Sequence, residues 1–159
     1  LIIIKLEPYL KSARKRLIAH PKYYLFDTGV INTIIGKTSK GPQRGTPYYG
    51  ILFEHFIILE VHRLLSYAEI SAKCYYWRSS HGAEVDLIVE LEDKLLAIEI
   101  KSSPNVKPAN LKGLRSFVTD HQKAIPICVS TCNIPYKARE ISVIPWQMLF
   151  DSKYLDIDI

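Results

Sequence analysis

The chain is poor in the features that would assign it to several large protein classes. It has three cysteines, Cys74, Cys128 and Cys132, an odd number without a CxxC pair. A disulfide framework is therefore not expected, and a reducing, cytoplasmic compartment is the expectation. No apolar run approaches the ~18–20 residues needed to cross a membrane. Leu1-Ile2-Ile3-Ile4 is too short for a signal peptide and lacks its layout, so no membrane partner is expected. The single methionine is not the first residue, and the opening run is apolar and strand-like. That beginning reads as a fragment of a longer protein. No repeat or low-complexity stretch is present. With 159 residues there is one domain's worth of chain, enough for a sizeable core.

Charge is unevenly spread. Residues 1–50 hold nine Lys/Arg against Glu7 and Asp27, a net of +7, while residues 51–159 carry a net of −2. The excess gathers at Lys11, Arg14, Lys15, Arg16 and Lys22, with Lys37, Lys40 and Arg44 further on. Such a patch suits nucleic-acid phosphates and would make binding salt-dependent. It suits a neighbouring domain equally well, and composition does not separate the two.

Periodicity and punctuation give an order of elements. Residues 1–7 read as a strand and Tyr23–Phe26 as a short one, with Gly36–Pro47 a loop by composition. Thr46-Pro47 starts a helix, with Thr as N-cap and Pro in the first turn, that runs to about Ser66. Strands follow near Ile70–Arg78, Ala83–Leu91 and Lys94–Lys101. A second helix fits Pro108–His121, where Leu111, Leu114, Phe117 and Val118 form a stripe. Ile125–Ser130 and Ile141–Ile144 read as strands and Pro145–Phe150 as a short helix. The core order is α-β-β-β-α-β, an α/β class.

Chemistry concentrates at Ala83–Glu90 and Ala97–Lys101. The link Leu91-Glu92-Asp93-Lys94 is short enough for a hairpin. A two-residue or a four-residue loop there gives one register, with Asp86 opposite Glu99 and Glu84 opposite Lys101. Side chains alternate along a strand, so Glu99 and Lys101 share a face and Ile98 and Ile100 take the other. Directly opposed residues have Cβ atoms roughly 4.5–5.5 Å apart. Two carboxylates at that distance repel unless a cation lies between them, and Mg²⁺ takes oxygen ligands at about 2.0–2.1 Å. Two acids and a lysine so arranged are what a magnesium-dependent nuclease needs. The plain alternative is a solvated strand face with a Glu84–Lys101 ion pair of little worth. Asp86 tips the balance, because it sits in the apolar run Val85–Val89, where charge without a partner is costly.

Glu54 poses the same question on the first helix, among Ile51, Leu52, Phe53, Phe56, Ile57 and Ile58. A metal or the site lysine would serve it, and so would an ordinary buried pairing or a polar stripe shared with Glu60. His55 and His62 have no third ligand at zinc-like spacing, and Cys128 with Cys132 match no metal pattern. His81-Gly82 reads as a turn. Tyr75, Tyr76 and Trp77 read as sheet packing rather than a base-stacking platform. Gly36-Lys37-Thr38 mimics the end of a phosphate-binding loop, but Ile31 stands where its first glycine belongs, so no nucleotide binding is expected.

Taken in order, Lys22-Tyr23-Tyr24-Leu25-Phe26-Asp27-Thr28-Gly29, Gly50-Ile51-Leu52-Phe53-Glu54, Tyr76-Trp77-Arg78, Glu84-Val85-Asp86 and Glu99-Ile100-Lys101-Ser102 resemble the C-terminal domain of a large group of prokaryotic AAA-type ATPases. That domain has the restriction-endonuclease-like fold of the PD-(D/E)XK superfamily. The resemblance covers roughly residues 10–150. It implies a mixed central sheet flanked by helices in a nuclease-like domain at 31–159, after a basic extension, residues 1–30, joining a missing ATPase module. It makes Glu54 the helix glutamate, Asp86 the central metal-binding acid, and Glu99 and Lys101 the E-x-K pair. The superfamily's proline is absent, since Ala83-Glu84-Val85 precede Asp86.

By this likeness Asp86, Glu99 and the Ile100 carbonyl hold Mg²⁺ or Mn²⁺, with help from Glu54, for hydrolysis of DNA phosphodiesters. Lys101 positions the attacking water, and Lys112 and Arg115 on the second helix track the DNA backbone. Two functions stay open: a metal-dependent nuclease beneath an ATPase, and an inactive nuclease-fold module for DNA binding, docking or homo-oligomerisation of that ATPase.

Overall fold

The computed structural model describes residues 3–10, 20–37 and 41–151. Lys11, Arg14, Lys15, Arg16 and Lys40 of the basic patch lie outside them. The described elements are β1 (Ile3–Pro8), β2 (Lys22–Leu25), α1 (Thr28–Ile34), α2 (Pro47–Tyr67), β3 (Lys73–Arg78), β4 (Glu84–Glu90) and β5 (Leu95–Lys101). A 3₁₀ turn at Pro108–Leu111 leads into α3 (Lys112–Asp120), followed by β6 (Ala124–Ser130), β7 (Tyr136–Ala138), β8 (Ile141–Pro145) and a closing 3₁₀ turn at Trp146–Phe150. The expected order α-β-β-β-α-β is present as α2-β3-β4-β5-α3-β6.

All eight strands form one mixed sheet in the order β2-β1-β3-β4-β5-β6-β8-β7. The centre is an antiparallel meander, β3-β4-β5, extended on both sides by parallel pairs, β1 with β3, β5 with β6, and β6 with β8. Strands covered on both faces are apolar along most of their length, here broken by Asp86 and Glu99. Val85 to Val89 and Leu96 to Ile100 are buried throughout, which identifies β4 and β5 as the middle of the sheet. Ile57, Ile58, Val61 and Leu65 of α2 cover one face, against Leu87, Ile98 and Val129; Leu114 and Phe117 of α3 cover the other, against Ile88, Ala97 and Val143.

Local chemistry explains the boundaries. The Thr46 side chain accepts from the Tyr49 N–H at 3.2 Å and Pro47 opens α2, as the sequence predicts. At the other end Ile70 N–H reaches the Leu65 carbonyl and Glu69 N–H the Ser66 carbonyl, with Glu69 at φ 54°. This double C-cap ties Ile70 to the helix, so β3 starts at Lys73 rather than Ile70. Helix α1 escaped the periodicity reading because it buries no residue. It is set by the Asp27 carboxylate, which accepts from the Gly29 and Val30 N–H groups. The His81-Gly82 turn is present, with Gly82 at φ 81° and its N–H on the Ser79 carbonyl. Gly36 and Lys37 close α1 instead of leading from a strand into a helix, and the Lys37 ammonium lies 3.9 Å from the Tyr48 ring centre.

Candidate functional site

The β4–β5 hairpin closes through Leu91 N–H on the Lys94 carbonyl, and its ladder runs from Glu90↔Leu95 to Leu87↔Ile98. That is the expected register. Beyond Leu87 the pairing ends, and β4 changes character. Tyr75 pairs with Ile88 but Trp77 with Val85, so Asp86 and Leu87 together oppose the single residue Tyr76. This is a β-bulge, a device that re-aims side chains. Val85 consequently joins the α3-side cluster with Ile88, instead of the α2 side with Leu87.

Asp86 occupies the bulge. Its Oδ2 accepts the Ile100 N–H at 2.8 Å, so a side chain supplies the hydrogen bond where the ladder stops. On β5, Ile98 and Ile100 face α2, and Glu99 and Lys101 take the opposite face, as alternation requires. Lys101 Nζ lies 2.6 Å from Glu99 Oε1. Glu99 is only 5 % exposed, and its Oε2 is enclosed without a hydrogen-bond partner. A carboxylate oxygen so placed calls for a proton or a cation.

The electrostatics agree. Burial, then the neighbouring Asp86 charge, pushes Glu99 up to about 8. Burial, then Glu54, pushes Asp86 up to about 6, against the pull of Lys101 and the Ile100 N–H. Burial would lower Lys101, but Glu99 and Asp86 outweigh it and hold the ammonium above its usual range. Lys101 is thus a fixed cation and hydrogen-bond donor, not a lysine poised to lose its proton.

Further charged groups reach the site from β2 and β3. Lys22 bridges Glu54, at 3.5 Å, and Glu84, and its ammonium lies 5.3 Å from the Tyr76 ring centre. The Tyr24 hydroxyl donates to Glu54 Oε1 at 2.9 Å. Arg78 reaches Glu84 at 2.9 Å. Glu84 therefore pairs with Lys22 and Arg78, where the sequence reading had Lys101, because the hairpin is no longer paired at that level. Glu54 has a protein partner pair, yet it is still felt by Asp86. Lys22 and Tyr24 were not among the expected site residues. Their signal was available: two residues apart on a strand, they share one face and meet α2 together.

The remaining candidates fall elsewhere. Lys112 is exposed at the start of α3, beside Gly113, which packs on the Glu84 backbone. Arg115 is half-buried with Nη1 enclosed and unpartnered, beside a cavity of about 220 Å³ shared with Thr119 and Glu140. His55 is buried with Nε2 2.6 Å from the Leu25 carbonyl. Cys128, pushed up to about 12 by burial and the adjacent Glu99, stays a protonated thiol.

Among the described residues, no three His, Cys, Asp or Glu side chains already form a cage for a metal ion. Two neighbouring buried carboxylates, one holding an enclosed oxygen without a partner, are nevertheless a hard-oxygen donor set of the kind Mg²⁺ or Mn²⁺ takes.

Residues 49–149 match a described family, the Domain of unknown function (DUF4143). The chain belongs to the DUF4143 family. DUF4143 domains are known as C-terminal domains of AAA-type ATPase-like proteins. The match runs from the first turn of α2 into the closing 3₁₀ turn, so Glu54, Asp86, Glu99 and Lys101 all fall inside it. Two mycobacterial relatives are similar over 124 residues at 31% identity: Uncharacterized protein Rv2008c of Mycobacterium tuberculosis and Uncharacterized protein Mb2031c of Mycobacterium bovis. The aligned region is 78% of this DUF4143 chain and 27% of each relative, so the chain spans about a quarter of their length.

Proposed function

We propose that this DUF4143 domain has a restriction-endonuclease-like core and hydrolyses DNA phosphodiesters with Mg²⁺ or Mn²⁺, as the C-terminal part of an AAA-type ATPase. One observation carries the reading: the enclosed, unpartnered Oε2 of Glu99 beside Asp86 and Lys101 at the unpaired end of the central hairpin. The order α2-β3-β4-β5-α3-β6 supports the fold. Asp86, Glu99 and the Ile100 carbonyl would hold the ion, with Glu54 behind them. When bound, such an ion polarises a phosphodiester and lowers the pKa of a coordinated water.

The chain's own groups do the rest. Lys101, 2.6 Å from Glu99 Oε1, is placed to orient the attacking water and to offset charge building on the phosphate. Lys22 ties Glu54 to Glu84 and thereby fixes α2 against β4 at the site. The DNA, the ATPase module and a homo-oligomer are the partners this reading implies.

A second reading, an inactive nuclease-fold module for DNA binding or docking, is favoured by a specific contact set. Lys22, Tyr24 and Arg78 already engage Glu54 and Glu84, which leaves two acids facing a metal. Cleavage of labelled single-stranded and duplex DNA in Mn²⁺ or Mg²⁺ at low salt separates the two. Under the nuclease reading, Lys101→Ala lowers the rate by on the order of 10²-fold or more while Mn²⁺ still binds. DNA binding without any cut, in metal, supports the inactive module instead.

A further inference from the structure

Helix α2 presents two neighbouring stripes at the site end. Gly50 and Glu54, one turn apart, form the first: a Cβ on Gly50 would sit 3.4 Å from Ser102 Oγ, and the Glu54 charge is felt by Asp86. Tyr49, Phe53 and Phe56 form the adjoining stripe and line a cavity of about 500 Å³. Its far wall is Trp146, whose ring meets Phe56 edge-on at 5.3 Å. Tyr49 and Phe53 are stacked at 6.3 Å with an angle of 14° between their planes.

Part of the cavity's lining comes from the chain that leaves β6 near the acid site. Lys101 pairs with Ser130 across β5 and β6, and Thr131 and Asn133 directly follow. Neighbouring strands lie roughly 4.8 Å apart, so this lining begins one strand and one residue from Lys101. It sits at the carboxyl ends of the parallel strands β5, β6 and β8, where open α/β sheets bind ligands. The rim is polar and cationic: Asn133 and Gln147 offer amides, Asn32 accepts the Tyr48 hydroxyl on its Oδ1, and Arg44 is exposed.

We infer that this cavity holds one unpaired base of a single-stranded or frayed DNA substrate, with Arg44 on its backbone phosphate. The aromatic walls fit the faces of a base, the amides fit its hydrogen-bonding edge, and the volume lies in the range of small-ligand pockets. A base stacked within a duplex is not available to such a slot. The strand's role rests on the nuclease reading above; its binding does not.

The test uses the 159-residue chain in EDTA at about 0.15 M salt, where non-specific phosphate binding is weakened, with an eight-residue thymidine oligomer and a blunt G·C-rich hairpin whose stem stays paired. Trp146 is one of two tryptophans, and Trp77 is buried in the α3-side core, so quenching reports on the cavity. The oligomer should quench and bind, and the hairpin should do neither at the same concentration. Trp146→Ala, measured by anisotropy of a labelled oligomer, should weaken binding about tenfold or more, and Trp146→Phe should restore most of it. If Trp146→Ala does not fold, Arg44→Ala at the exposed rim should still weaken binding by about threefold or more. Equal binding of the hairpin, no quenching, or folded variants that bind like the parent would overturn the inference. Since no metal is present, loss of Mn²⁺ binding or of cleavage leaves this result untouched, and the reverse holds too.

Discussion

Gly113→Ala should cost at least about 3 kcal/mol of stability, the effect of forcing an atom into a packed interior that cannot yield. A Cβ at Gly113 would lie 1.9 Å from the Glu84 carbonyl oxygen, 2.8 Å from its carbonyl carbon and 3.0 Å from its nitrogen. All three are backbone atoms, so no rotamer change relieves the contact, and α3 must lift from β4. Glu84 also bridges Lys22 and Arg78, so the strain reaches the charged side of the site. For a chain of this size about 3 kcal/mol corresponds to roughly 6–12 °C in Tm. Gly41→Ala is the control, since a Cβ there meets nothing and its backbone is not left-handed. Thermal unfolding of both should show a large drop for the first and little change for the second. Equal melting temperatures would mean that α3 does not pack on β4 as described.

Glu99→Gln should stabilise the metal-free domain at pH 8 while removing its response to metal. Burial and Asp86 raise Glu99 in the folded state to about 8, against 4.5 for an ordinary glutamate. A carboxyl raised on folding contributes stability that is fully present below about pH 4.5 and is lost as pH rises through about 8. The parent should therefore become less stable across that window, and the glutamine variant, which cannot ionise, should show a flatter profile. The gap at pH 8 is on the order of 1–3 kcal/mol in the variant's favour. Asp86 remains as a counter-charge for Lys101, so the variant does not strand that ammonium. Saturating Mn²⁺ should reverse the order, because an ion present at about a thousand times its Kd adds about 4.1 kcal/mol to whichever protein binds it. Parallel pH profiles for the two proteins without metal would contradict the assignment of a strained, ionising Glu99.

The parts of this site that could be read from the residues are the local ones. The polar link Glu92-Asp93 between two apolar runs is enough to set the hairpin, and alternation then places Glu99 and Lys101 together, as found. Thr46-Pro47 fixes the start of α2 by capping chemistry that needs no tertiary information. What alternation cannot report is a bulge. The extra residue in β4 turns Val85 and frees Asp86 to take the Ile100 N–H, and nothing in Glu84-Val85-Asp86-Leu87 announces it. Partners that arrive from distant strands are equally invisible. Lys22 and Tyr24 lie 32 and 30 residues from Glu54, and only the sheet order β2-β1-β3-β4 brings them to it. Helix α1 and the three-residue β7 were missed for a simpler reason: a helix that buries nothing and so short a strand leave no periodic signal.

Calorimetric titration of the chain with Mn²⁺, beside an Asp86→Ala variant shown by circular dichroism to be folded, tests the central claim most directly. The parent should bind and the variant should not, because Asp86 and Glu99 form the donor pair. Absence of binding in the parent, or equal binding by both proteins, would contradict it.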